Sequence, residues 1–223
     1  MEKTSSLGSV MACSKSAGFS LAELLVSIGI LTLLATFTVM SLSTSQKKEE
    51  VLTAARIVAG DLRALQTRAL NAENVKTCKN LGINVTCENG LAPCTDPMSC
   101  APAPPYAFGA FFRANSSTYP FFAEVDASNK DFQDTPGAGE DFYQRRFSTV
   151  AVPNVKITGL VADGVTTTQV SVTFGRQNGS PNIMPCIGAC SSASTLHITL
   201  TQMQSGDVAN VYMNAITGRI SID

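Results

Sequence analysis

A long apolar segment near the N-terminus constrains this chain more than any other feature of its 223 residues. No charged residue occurs between residues 24 and 46, and most of residues 24–42 are Leu, Ile, Val, Ala, Phe or Met. About 20 such residues are enough to cross a bilayer as an α-helix. The alternative is a buried core helix, which usually carries a polar stripe. We therefore predict one membrane-spanning helix.

The cysteine distribution predicts how this helix is oriented. Cys13 precedes the apolar segment, and six cysteines follow it in an even set without a C-x-x-C pair. Such a set indicates disulfides in an oxidising compartment. We expect a single-pass inner-membrane protein with a cytoplasmic N-terminus and a periplasmic head. A cleaved secretory signal fits less well, because the apolar run is too long and no A-x-A-like site follows it.

The overall composition argues against several functional classes. The chain has 16 Lys and Arg against 17 Asp and Glu, so it does not resemble a protein that binds nucleic acid over its whole surface. His197 is its one histidine, and no nucleophile elbow, phosphate loop or metal-ligand spacing is present. We expect His197 on the exposed face of a strand. We predict no enzyme activity, no cofactor and no metal site.

A short motif marks the start of the apolar segment. Residues 17–26 read Ala-Gly-Phe-Ser-Leu-Ala-Glu-Leu-Leu-Val, so a single carboxylate, Glu23, lies at the start of an apolar helix. Ionisable groups within membrane helices are costly and usually mark function. The alternative is a glutamate close enough to the interface to reach water.

Residues 18–26 resemble the class III signal of type IV pilins and type II secretion pseudopilins. The resemblance implies that prepilin peptidase cuts between Gly18 and Phe19 on the cytoplasmic face and methylates the new amine of Phe19. Residues 1–18 would then leave as a leader peptide. The resemblance also implies that Glu23 meets the N-terminal amine of a neighbouring subunit during filament assembly.

Beyond residue 46 the pattern becomes amphipathic. Apolar residues recur at alternating spacings of four and three, which is one face of a helix. They are Val51, Ala55, Val58, Leu62, Leu65 and Ala69. We predict one helix from about residue 20 to 72, with residues 19–46 in the membrane or filament core. Residues 47–74 would dock on a sheet; a coiled coil is the alternative.

The predicted head, residues 75–223, begins with a cysteine- and proline-rich loop over 75–105. The disulfide candidates are Cys78, Cys87, Cys94, Cys100, Cys186 and Cys190. Local pairing would join Cys78 to Cys87 and Cys94 to Cys100, although six cysteines allow 15 connectivities. The last two cysteines could pair with each other or reach the loop. A four-thiolate metal site in the loop is the alternative.

The rest of the head alternates apolar with polar or β-branched residues, as strands do. Strands are predicted at 107–112, 119–125, 155–161, 168–174, 195–202, 208–214 and 216–222. The predicted fold is α+β and pilin-like, with a long N-terminal helix packed on an antiparallel β-sheet head that carries a disulfide-rich loop.

Within the pilin families, the head is most similar to GspH/FimT-type minor pilins and pseudopilins. The similarity lies in residues 54–69, 172–179 and 216–220. It implies a minor structural subunit of a type IV pilus or of a type II secretion pseudopilus. The expected partners are prepilin peptidase, other pilin subunits and the inner membrane.

The alternative is a DNA-binding minor pilin for natural transformation. Gly218 and Arg219 match the start of a terminal Gly-Arg-x-Arg motif that contacts DNA in the FimT branch, whereas Ser221 replaces the second arginine. Losing one phosphate contact weakens such binding. Five further cations could form a local patch: Arg113, Arg145, Arg146, Lys156 and Arg176.

Overall fold

The computed structural model describes residues 20–80, 83–87, 100–125, 143–146, 152, 154–187 and 189–223. The chain divides into two compact units, residues 1–43 and 44–223. The predicted α+β class is confirmed, because an N-terminal apolar helix is followed by antiparallel sheets.

The described elements are one helix and fourteen strands. They are α1 (Leu21–Leu70), β1 (Val75–Asn80), β2 (Ile83–Thr86), β3 (Ala101–Ala103), β4 (Ala107–Arg113), β5 (Thr118–Glu124), β6 (Tyr143–Arg146), β7 (Val155–Ala162), β8 (Val165–Thr166), β9 (Gln169–Gly175), β10 (Pro181–Ile187), β11 (Ala189–Cys190), β12 (Thr195–Gln202), β13 (Val208–Asn214) and β14 (Ile220–Ile222).

Both ends of α1 are capped by local hydrogen bonds. At the start, the backbone N–H of Glu23 is 3.2 Å from the hydroxyl oxygen of Ser20, which acts as the N-cap. At the end, Glu73 N–H bonds to the Arg68 carbonyl and Ala72 N–H to the Ala69 carbonyl. This is a Schellman motif, with Ala72 in the left-handed region at φ 48°. The helix therefore stops slightly before the predicted end near residue 72.

The strands form three antiparallel sheets. A small sheet has the order β2-β1-β3, a six-stranded sheet the order β11-β10-β9-β4-β5-β6, and a five-stranded sheet the order β14-β13-β12-β7-β8. Strands β12 and β13 have the predicted bounds. They alternate buried and more exposed residues, as a sheet with one covered face does.

In the main core of the second unit, α1 meets both larger sheets, and Phe111 and Phe122 form a separate small cluster. The buried helix residues are Val51, Ala54, Ala55, Val58, Ala59, Leu62, Leu65 and Ala69. They include all six positions predicted from the spacing. Ala54 and Ala59 widen the face, and their small side chains allow the backbones to approach closely. Burial of this stripe stabilises the helix more than its intrinsic propensity does.

Two sequence predictions about the head are wrong. The segment 75–105 is not irregular throughout, since it contains β1, β2 and β3. The last strand does not begin at residue 216. An Asn214 side chain accepts the Thr217 N–H at 2.9 Å, and Gly218 has φ 66°. These features form a turn that leaves Ile216 82% exposed and delays the strand to Ile220.

The local disulfide pairings suggested by the spacing are also wrong. Cys87 is bonded to Cys100, with 6.2 Å between the two Cα atoms. The sulfur atoms of Cys78, Cys87 and Cys100 all lie within 4.8 Å of one another. The separation of these cysteines along the sequence therefore does not determine which of them forms the disulfide with Cys87. The bond uses two of the four thiolates that a tetrahedral metal site would need. Cys94 lies outside the described residues.

Candidate assembly helix and exposed arginine

The apolar span, Leu21–Thr38, lies in the first unit. It is 18 residues long with a mean hydropathy of 2.0, and none of it is buried inside the protein. Leu21 is 79% exposed and Phe37 is 72% exposed. By length and composition, such a helix could cross a membrane.

The hydroxyl groups of the apolar span are satisfied within the helix. The Ser27 hydroxyl donates to the Glu23 carbonyl at 2.7 Å. Thr32, Thr36 and Thr38 donate to backbone carbonyls one turn earlier at 2.7–2.9 Å. In hydrocarbon an unsatisfied donor is costly. The hydroxyl groups of the span therefore need no hydrogen bond to water, although the span contains serine and threonine.

Glu23 lies in the first turn of α1 and its side chain is exposed. The helix dipole favours negative charge at this end. Glu23 is the single charged residue between residues 20 and 46. Gly18 and Phe19 lie outside the described residues, so cleavage and methylation there stay predictions.

Gly218 has a structural role in the turn that joins β13 to β14. Its positive φ is a conformation that other residues adopt only with strain. A Cβ atom built on it would lie 3.1 Å from the side-chain nitrogen of Gln66 on α1. The glycine is therefore explained by backbone geometry and packing without a DNA contact.

Arg219 is exposed beside β14, and the strand geometry sets its neighbours. Residues alternate faces, so Arg219 and Ser221 share the outer face while Ile220 is only 8% exposed. Ser221 is opposite Tyr212, whose ring stacks on His197 at 4.4 Å between centroids. Within the described part of the chain, the Arg219 guanidinium makes no hydrogen bond or ion pair.

His197 lies on the outer face of the five-stranded sheet, opposite to its buried neighbours Leu196 and Ile198. This agrees with the predicted strand position, although Tyr212 half-covers the ring. Among the described residues, no side chain forms a hydrogen bond or ion pair with the Nε2 atom of the imidazole.

The cations proposed as a local patch lie on several strands of the two larger sheets. Lys156 lies at the other end of the five-stranded sheet, where β7 begins. Arg113 and Arg176 lie at opposite ends of the β4–β9 pair in the six-stranded sheet. The backbone of Arg145 and Arg146 belongs to β6, an edge strand of the six-stranded sheet. Arg219 is thus at the opposite end of its sheet from Lys156, whereas the turn that follows Arg176 lies near Gly218, since Pro181 is 3.9 Å from a Cβ atom built on that glycine.

Sequence reasoning missed the polar contacts that hold α1 on the sheets. The Gln202 side-chain amide donates to the Glu50 carboxylate at 3.0 Å, and the Arg63 guanidinium donates to the Ile220 carbonyl at 2.9 Å. Both helix residues flank the apolar stripe. Their position in the sequence beside the buried residues was the signal that could have indicated these contacts.

The comparison with protein families matches the N-terminal part of the chain. The model of the prokaryotic N-terminal methylation motif matches residues 13–39. The match supports a type IV pilin-like N-terminus that is processed by prepilin peptidase, and it agrees with a membrane-anchored helix. It does not extend to the β-rich unit. No curated protein and no solved structure matches the chain.

Proposed function

We propose that this chain is a minor pilin or pseudopilin, a non-catalytic structural subunit of a type IV pilus or type II secretion pseudopilus. The observation that supports the proposal is the methylation motif at residues 13–39, which leads directly into an apolar helix with no internal cover. The second unit packs on the other part of the same helix and would be displayed outside the membrane.

In this proposal, the mature chain begins at Phe19. Before assembly, the apolar span anchors it in the inner membrane. Assembly replaces lipid around the span with neighbouring helices, which requires no change in its internally bonded hydroxyls. Glu23 would pair with the amine of a neighbouring subunit. In an apolar surround such a pair is strong only if both charges are present, because a buried unpaired charge is costly.

The test begins with processing. The full-length chain is co-expressed with prepilin peptidase, and its mass is measured. We expect loss of residues 1–18 and addition of one methyl group at Phe19. A Gly18→Leu variant should remain uncut, whereas Gly29→Ala, at a position with open space around it, should be processed normally. An intact mass for the unmodified chain would contradict the proposal.

The second step concerns assembly. Glu23→Ala should abolish incorporation into filaments when the chain is expressed with a pilus or secretion system. Glu49→Gln changes an exposed carboxylate elsewhere on α1 and serves as the control. Equal incorporation of both variants would remove the assigned role of Glu23.

DNA binding is the second candidate function. The exposed Arg219, with no partner in the described residues, favours it. Duplex DNA is titrated against the full-length chain in detergent over a salt series. Arg219→Ala should lower the affinity and reduce the salt slope by about 1. Arg56→Ala, an exposed arginine on α1, is the control. Failure to bind at low salt would exclude this candidate.

A further inference from the structure

We propose that a groove at one end of the six-stranded sheet, which has a mainly apolar surface with several polar side chains, binds a neutral oligosaccharide. The groove forms where β4 begins, where β5 ends and where β9 turns into β10. Its side chains include Tyr106, Glu124, Arg176, Gln177, Asn178 and Asn182. The inference does not depend on the role of the N-terminal helix.

Backbone hydrogen bonds hold the groove in shape. Tyr106 N–H donates to the Glu124 carbonyl at 2.7 Å, and Arg176 N–H donates to the Tyr106 carbonyl at 3.2 Å. The side-chain oxygen of Asn178 accepts the Ser180 N–H at 3.1 Å, which fixes the turn before β10. Three chain segments are thereby joined before any ligand binds. A site formed in advance loses less entropy on binding.

The side chains of the groove match the chemistry of sugar hydroxyl groups. Gln177 and Asn182 each carry an amide that offers both donors and an acceptor, Asn178 offers its amide N–H groups, and Arg176 donates. Vicinal hydroxyl groups require this mixture, because each hydroxyl both donates and accepts. Glu124 is only 3% exposed, so this side chain in the wall of the groove is largely shielded from solvent.

Tyr106 supplies the apolar surface that a sugar ring needs. It is 56% exposed, although its backbone is held at both ends. Aromatic rings combine a large contact area with a polar tip, which suits ligands that have both apolar and polar faces. Tyr106 and Arg176 also border a second concave surface with Thr77 and Pro104. The two surfaces meet at Tyr106 and so fit a chain of sugars better than one ring.

The charges of the groove favour a neutral ligand. Among the described lining residues, Arg176 carries the one positive charge and Glu124 the one negative charge. A polyanion such as DNA gains affinity from several cations, and this groove does not offer them. A neutral saccharide binds through hydrogen bonds and through stacking on an aromatic ring, and it needs no net charge in the groove.

The experiment is calorimetric titration of the full-length chain in an amine-oxide detergent, because glycosidic detergents would compete. The probes are cellotetraose, chitotetraose and maltotetraose. We expect one of them to bind, and Tyr106→Ala to weaken that binding by about tenfold. Asn182→Ala should weaken it as well. Tyr106→Phe should retain most of the affinity, because the ring remains.

Tyr212→Ala is the matched control, since Tyr212 is an exposed aromatic residue on the other large sheet. Thermal melting of each variant checks that the fold is intact. The proposal is overturned if none of the three probes binds, or if Tyr106→Ala and Tyr212→Ala affect binding equally. It is also overturned if binding falls steeply with salt, which would indicate an ionic ligand. None of these outcomes bears on processing or filament assembly.

Discussion

The phenolic hydroxyl of Tyr119 donates a hydrogen bond of 2.6 Å to the Asp61 carboxylate and so joins β5 to the C-terminal part of α1. Tyr119 is completely buried, and Asp61 is half-buried on the flank of the apolar stripe. Hydrogen bonds to a charged acceptor are among the stronger ones in proteins. This contact links residues 58 positions apart in the sequence.

Removing the Tyr119 hydroxyl should destabilise the second unit. We expect Tyr119→Phe to lower the free energy of unfolding by about 2 kcal/mol, because a partly buried carboxylate loses a donor while the ring stays in place. Denaturant unfolding measures the change. Tyr106→Phe removes the hydroxyl of an exposed tyrosine and should leave stability unchanged. Equal effects of the two variants would show that the Asp61 contact contributes nothing.

Asp163 should make stability depend on pH in the acid range. Its carboxylate accepts five hydrogen bonds from Ser194 and Thr195. The Ser194 N–H, then the Ser194 hydroxyl and the two donors of Thr195, lower the pKa of Asp163 from 3.8 to about 2. Because the folded-state pKa is depressed, this contribution is complete above pH 4 and is lost as the pH falls through 2.

The measurement is thermal melting of the wild-type chain and of Asp163→Asn between pH 7 and pH 2. The wild type should melt at the higher temperature at neutral pH, and the difference should shrink below pH 4. Asp223→Asn, at the exposed C-terminal residue, controls for general acid effects. A constant difference down to pH 2 would contradict the role of the Asp163 hydrogen bonds.

The C-terminal cap of α1 should be improved by glycine. Ala72 has a positive φ, which strains a residue with a Cβ atom. Ala72→Gly should therefore stabilise the protein by about 1 kcal/mol and raise its melting temperature by about 2–4 °C. Ala64→Gly, at an exposed position inside α1, should instead destabilise it by about 1 kcal/mol. Destabilisation by both substitutions would argue against the left-handed cap.

A second arginine on the outer face should strengthen any DNA binding. Ser221 in β14 is two residues from Arg219 and shares the outer face with it, so Ser221→Arg would place two cations side by side. We expect the log–log salt slope of DNA binding to steepen by about 1. Gln204→Arg adds the same charge on an exposed turn at the other end of β12 and should change the slope less. Equal changes would indicate a general charge effect.

Disulfide mapping should find two specific pairs. Cys87 and Cys100 are bonded, and the β10–β11 register places the backbone of Cys186 directly opposite Cys190. Opposed strand residues have Cα atoms close enough for a disulfide. We expect proteolysis without reductant to release peptides joining 87 to 100 and 186 to 190. A peptide joining 87 to 78 would contradict the structure. Replacing Cys87 and Cys100 by serine should cost about 3 kcal/mol.

Local periodicity explains which elements could be read from the sequence. The apolar stripe of α1 repeats every three to four residues, and β12 and β13 alternate from residue to residue. These patterns show which face of a helix or strand is buried. They can therefore be recognised without knowing which other element packs on that face. Strands β1, β3 and β10 lack clean alternation, and β10 contains Pro181 and Pro185. Their pairing depends on partners elsewhere in the chain.

The sequence by itself determined the apolar span, the position of Glu23, the buried stripe of α1 and the α+β class, because each follows from residue types at short range. Only the tertiary structure decided that Cys87 bonds Cys100, that Gly218 lies against Gln66, and that Tyr106, Glu124 and Arg176 line one groove. Those contacts join segments far apart in the chain. They depend on how the sheets close around the helix, which no local pattern encodes.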